Sequence, residues 1–109
     1  MEGSNMGWLI EAYTGYKPIS TFWDDFTTAE QFGEVAIRET YKTSFKGWKY
    51  NYKMMTELSM VLNHKIWQHW ENNRHEIAKV YDSLWKECDG WLMDNLHGKE
   101  LEYYIKTTD

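Results

Sequence analysis

The chain has 109 residues, of which 42% are hydrophobic and 17% aromatic, including seven Trp, eight Tyr and four Phe. A formal net charge of −5 argues against a uniformly phosphate-binding surface, and a lone cysteine, Cys88, excludes an intrachain disulfide. With no apolar run of the roughly 18 residues a membrane span needs and no secretory signal pattern, the expectation is a single-domain cytoplasmic protein that builds its core without disulfide or metal.

Residues 1–20 contain Gly3, Gly7, Gly15 and the only proline, Pro18, and keep no helical period, so they read as an N-terminal arm. The first five, MEGSN, read either as vector-derived, with Met6 the natural start, or as native. Trp8, Leu9, Ile10, Tyr13 and Tyr16 are too apolar for a plain linker, and part of the arm is expected to dock on the body. The helical domain proper is predicted over 21–109. Ser20 or Thr21 is placed to cap a short turn through Phe22–Phe26, whose Asp24 and Asp25 suit the positive end of a helix dipole.

A first long helix is predicted from Thr27 or Thr28, because Thr27 with Glu30 and Thr28 with Gln31 both have capping-box spacing. Ala29, Phe32, Gly33, Ala36, Ile37, Tyr41, Ser44, Phe45 and Trp48 follow at steps of three and four and make its apolar face. Gly47 and Asn51 mark its exit, and Asn51 is a good cap for the next helix. That second helix, Asn51 to about Glu71, is apolar around much of its circumference. Met55, Leu58, Leu62, Ile66 and Trp70 form one stripe, and Met54, Val61 and Trp67 widen it. Such a helix has to be enclosed by neighbours or by a partner.

Asn72 and Asn73 form a turn, and Asn73 with Glu76 repeats the capping-box spacing for a third helix. Its stripe is Ile77, Val80, Tyr81, Leu84, Cys88, Trp91, Leu92 and Asn95, weakened slightly by Gly90. Gly98 is a stop, and Lys99–Ile105 form a short last element that docks through Leu101, Tyr104 and Ile105. Short turns make consecutive helices antiparallel. The predicted fold is all-α, an antiparallel three-helix bundle with a short C-terminal fourth helix and an aromatic N-terminal arm.

No motif for chemistry emerges. Glu71 and His75 straddle a turn, and Asp94 with His97 is only half of a di-iron arrangement. His64 and His69 diverge on a helix, and HEIAK lacks the second histidine of a zinc motif. Cys88 on an apolar stripe reads as a small hydrophobe. No catalytic, cofactor-binding or metal-ligating residue is therefore assigned, and no cofactor is expected.

Three surface features remain. Lys42, Lys46, Lys49 and Lys53 interleave with Trp48 and Tyr50 in a segment without acids, a pattern suited to single strands or an acidic protein. Most such edges are merely solvated, and nucleic acid is not expected as a partner. Asp24, Asp25, Glu30 and Glu34 form an acidic group near the start of the first helix. The excess of large rings points to Trp8, Tyr13, Trp23, Trp67 and Trp70 as anchors for a protein partner or a second copy of the chain, as in a homodimer. The leading expectation is thus a non-enzymatic protein-interaction module. Two alternatives are an inhibitor of a nucleic-acid-processing enzyme, acting by blockade or charge mimicry, and a metal-dependent enzyme.

Thr21–Gly33 (TFWDDFTTAEQFG), Tyr52–Trp67 (YKMMTELSMVLNHKIW) and the ending LEYYIKTTD give residues 20–109 a resemblance to short helical proteins of gut bacteria and their phages or conjugative elements. That group carries no assigned activity. The resemblance implies a bacterial, cytoplasmic, mobile-element setting, in which small anti-CRISPR and anti-restriction inhibitors are also encoded.

Overall fold

The computed structural model describes residues 18–49 and 51–108, and every regular element among them is a helix. In chain order these are α1 (Pro18–Glu30), α2 (Glu34–Trp48), α3 (Tyr52–Glu71), α4 (His75–Asn95) and α5 (Lys99–Thr108). The all-helical class expected from the sequence holds, while the number and limits of the elements differ.

The expected first long helix is two helices. Residues 18–20, assigned to the arm, already belong to α1, where proline's fixed φ suits a helix start. Thr27 and Thr28 therefore lie in its last turn, and their capping-box spacing caps nothing. Short-range bonds from Gln31 N to Thr28 O and Phe32 N to Ala29 O close α1. Gly33 then adopts φ 105° and ψ −171°, a region open essentially to glycine alone. That residue reverses the chain into α2, and it leaves Phe32 76% exposed rather than on a core face.

Asn51 caps α3 as its position predicts, its side-chain oxygen accepting from Met54 N at 3.2 Å. Six consecutive residues, Met54 through Ser59, are buried, so this stretch is enclosed on all sides. The cause is topological: α3 packs against α1, α2, α4 and α5. Its most extensive partner is α4, which runs antiparallel to it. His69 stacks on Tyr81 beside the connecting turn, and Cys88 Sγ reaches the Met55 carbonyl toward the other end.

The turn between α3 and α4 is built by asparagines, though not as a capping box. Asn73 takes φ 60°, a conformation asparagine tolerates, and Arg74 occupies the cap position without a side-chain capping bond. Arg74 N to His69 O at 2.8 Å closes the turn. At the other end of α4, Gly98 with φ 57° redirects the chain into α5. That helix docks through the buried Tyr104 and half-buried Leu101, while Ile105, expected on the same face, is 40% exposed. Tyr104 Oη lies 3.3 Å from Ser59 Oγ and donates to Asp89, so one phenol joins α5 to both α3 and α4.

Candidate functional site

One acid on α1 organises the junction of three helices. Glu30 Oε2 lies 3.1 Å from Lys65 Nζ and 3.1 Å from His69 Nε2, both on α3. The hydroxyl of Tyr81 on α4 donates to the same oxygen at 2.5 Å. Lys65 also donates to Thr27 Oγ1 at 2.8 Å and sits 4.0 Å from the centre of the Trp23 ring. Its ammonium is thus held by a carboxylate, a hydroxyl and an aromatic face, all from α1. Lys65 is 1% exposed and His69 2%, so neither charge nor imidazole has bulk water to fall back on.

His69 occupies a specific tautomer in this arrangement. Arg74 Nε donates to Nδ1 at 2.9 Å, so Nδ1 is the bare nitrogen and the proton sits on Nε2, facing Glu30. That approach is off the line of a good hydrogen bond, and Nε2 has no other partner among the described residues. Burial pushes the Glu30 carboxyl up, but the bond from Tyr81, the nearby His69 Nε2 and the Lys65 ammonium overcome it and hold the group below the ordinary carboxylate value. Burial, then the bond to Glu30, pushes the Tyr81 phenol up, keeping it a donor.

Two other enclosed groups do no such pairing. Glu57, in the middle of the enclosed stretch of α3, is 0% exposed and neither carboxyl oxygen has a partner among the described residues. Burial pushes its carboxyl up to about 7. Burial, reinforced by Asp89 and Glu87, likewise pushes the Cys88 thiol up. A neutral, enclosed thiol is no nucleophile.

The exposed surface near the Glu30 junction is the reverse of its interior. Trp67 is 61% exposed and Trp70 41%, the latter ring 4.3 Å from that of His75. Phe32 and Val35, just beyond Glu30 in the chain, are each 76% exposed. Phe32 and Val35 thus follow the α1 side of the junction, while Trp67 and Trp70 lie on α3 near its turn into α4.

The residues singled out from sequence scatter. Trp8, Tyr13 and Tyr50 lie outside the described residues. Trp67 and Trp70 come together at the exposed end, whereas Trp23 is half-buried over Lys65 and serves the interior. The acidic group is not one surface: Asp24 and Asp25 are exposed, Glu30 turns inward, and Glu34 is bonded by Arg38 at 2.8 Å. The lysine edge is also broken, because α2 ends at Trp48 and the helical spacing stops there. Lys42 and Lys46 share an exposed face of α2, with Lys42 3.6 Å from Glu39, while Lys53 is exposed on α3. Lys49 is half-buried and Trp48 41% exposed at the end of α2.

Lys65, His69 and Tyr81 were not singled out as a group by pattern. A signal existed: Lys65 and His69 are four apart on a helix that must be enclosed, and a buried cation requires a counter-charge.

Among the described residues no three His, Cys, Asp or Glu side chains converge as metal ligands, and no helix is long and apolar enough to cross a membrane. No protein family matches the chain, and neither a curated protein nor a solved structure shows significant similarity to it.

Proposed function

We propose that the protein is a small, non-enzymatic helical interaction module that binds a protein partner or its own copy through the end bearing Trp67 and Trp70. The observation that carries this reading is the exposure of Trp67 and Trp70 on a helix whose other large apolar side chains are mostly buried, with Phe32 and Val35 exposed as well. Exposed large apolar groups that gather on a surface are characteristic of interaction sites, and tryptophans concentrate binding energy there. In this reading α2, α3 and α4 form the three-helix framework, and the aromatic arm adds Trp8 and Tyr13 to the contact. The resemblance to mobile-element proteins favours a bacterial, cytoplasmic setting. Inhibition of a host nucleic-acid-processing enzyme by steric blockade is the same activity with a particular partner, and the dispersal of the four acids weighs against charge mimicry.

Sedimentation velocity across a concentration series, together with pull-down from a bacterial lysate, tests the reading. Self-association or specific capture is expected, and it should be lost in a Trp67→Ala/Trp70→Ala variant that melts like the parent. A strict monomer that captures nothing would overturn the reading.

A further inference from the structure

The turn between α3 and α4 is tied to the buried junction through one imidazole. Arg74 Nε donates to His69 Nδ1 at 2.9 Å, and the Arg74 backbone N–H donates to the His69 carbonyl at 2.8 Å. His69 is 2% exposed, whereas Arg74 lies at the surface. The side-chain bond needs a bare Nδ1 and therefore a neutral ring. A ring that takes a proton from water carries hydrogens on both nitrogens, and Nδ1 then meets Arg74 donor to donor.

The groups around the ring decide which contact gives way. Glu30 faces it from α1, Lys65 lies one turn back on α3, Tyr81 stacks on it from α4, and Arg74 reaches it from the turn. Tyr81 is a neutral donor to Glu30, so Glu30 is the one anion of the set. Lys65 is enclosed and held by Thr27 and the Trp23 ring as well as by Glu30. Arg74 is thus the cation that can return to solvent without leaving a buried charge unpaired. The other ring nitrogen gains what Nδ1 loses. Nε2 lies 3.1 Å from Glu30 Oε2 but makes no well-aligned bond there while the ring is neutral. A charge on the ring draws that contact into a charge-assisted bond, roughly twice as strong as a neutral one. We infer that His69 is a proton switch with two positions. Neutral, it holds Arg74 and anchors the α3–α4 turn; protonated, it bonds to Glu30 and releases Arg74 to water. Asn73, already at φ 60°, lies between the two switch residues, and so does Trp70, whose ring is 4.3 Å from that of His75. Release of Arg74 therefore acts on the aromatic end of the molecule.

Histidine is the side chain that changes charge between about pH 5 and 8. The test is ¹H–¹⁵N NMR of the full chain from about pH 8 to about pH 4.5, following the imidazole nitrogens of His69 and the Arg74 Nε–H. Glu30 stays ionised across that range, its carboxyl being held below the ordinary value. His64 and His97 are exposed and serve as references in the same spectra. The expected result is an Nε2–H tautomer at the alkaline end and an Arg74 Nε–H protected from exchange. That protection should vanish in step with protonation of His69, with backbone shifts concentrated at residues 69–75 and at Glu30. Arg74 is exposed, so Arg74→Ala keeps the fold while deleting a bond and a charge that both favour the neutral ring. In that variant His69 should protonate at higher pH, with His64 and His97 unmoved. Four results would overturn the proposal. They are an Nδ1–H tautomer at neutral pH, a His69 ring that stays neutral until the chain unfolds in acid, an Arg74 Nε–H still protected once His69 is charged, and a His69 titration that Arg74→Ala leaves in place. Each readout lies within one chain, so a strict monomer that captures no partner would sink the binding reading and leave this one standing.

Discussion

Glu57 makes the protein lose stability as pH rises through a window where most domains are indifferent. Its carboxyl is fully enclosed and pushed up to about 7 from an ordinary 4.5. Below pH 4.5 the folded and unfolded chains both hold the proton, and ionisation costs nothing. Above that value the unfolded chain releases the proton while the folded chain keeps it, so stability falls by about 1.4 kcal/mol per pH unit. The loss is complete once the pH passes about 7, where it amounts to about 3 kcal/mol. Against a typical total of about 5–15 kcal/mol this is a large share. Glu57→Gln keeps the shape and abolishes the titration. Urea denaturation of both proteins from about pH 4.5 to about pH 8.5 should show the variant gaining about 3 kcal/mol relative to the parent, with unchanged m. In thermal melts the gap should open by roughly 10 °C or more, at about 4–8 °C per kcal/mol for a domain this size. The amide swap adds only a constant offset, and Glu30 titrates below this window. A stability difference that stays flat between about pH 4.5 and about pH 7.5 would refute the reasoning, since Glu57 would then ionise freely in the folded protein.

Glu30 carries the opposite sign. Its lowered carboxyl stabilises the fold above the ordinary carboxylate value and loses that contribution as pH falls, so Glu30→Gln should be less stable near neutrality, with a deficit that shrinks in acid melts. Lys65→Met leaves Glu30 without its ammonium and should cost about 3–5 kcal/mol in urea denaturation, part of which Glu30→Leu restores. Gly33→Ala should cost about 1–3 kcal/mol, because a Cβ there meets nothing within 4 Å and only the φ of 105° resists it. Gly90→Ala, equally uncrowded but inside α4, should instead stabilise by about 1 kcal/mol in the same melts.

Periodicity read the helices well wherever one face is dry. Val80, Tyr81, Leu84, Cys88 and Leu92 are enclosed as expected, with Trp91 half-buried and Asn95 exposed, and so is the circumference of α3 from Met54 to Ser59. It failed where a single backbone angle decides. Thr27-Thr28 followed by Glu30-Gln31 is a sound capping pattern, but Gly33 breaks the chain only five residues after Thr28, inside the helix that pattern would begin. It failed again where the counter-charge lies far along the chain. Lys65 meets Glu30 across 35 positions, and Tyr81 meets it across 51. Spacing on one helix reports neighbours on that helix, while this site is made of residues whose proximity depends on how α1 lies against α3.

Four residues in the C-terminal half of α3 invert normal patterning, Lys65 and His69 being buried while Trp67 and Trp70 are exposed. Residues two apart on a helix point to nearly opposite sides, so Lys65 inside forces Trp67 outside. Rolling the helix to bury Trp67 and Trp70 would gain on the order of 2–4 kcal/mol per ring from apolar area. The observed roll instead buries Leu58, Val61, Leu62 and Ile66, and the contacts that Lys65 and His69 make with Glu30, Tyr81, Thr27 and Trp23 reinforce it. A network of that kind is weak evidence for stability but a good device for fixing one register over another. Its consequence is that the tryptophans are presented outward, where only a second surface recovers their burial. Replacing the pair in Glu30→Leu/Lys65→Met removes the polar part of what holds the roll. That variant should keep its helical circular dichroism and lose partner capture or self-association, although neither substituted residue lies on the exposed patch. Undiminished association in a well-folded double variant would separate the network from the aromatic end and leave the tryptophans exposed for some other reason.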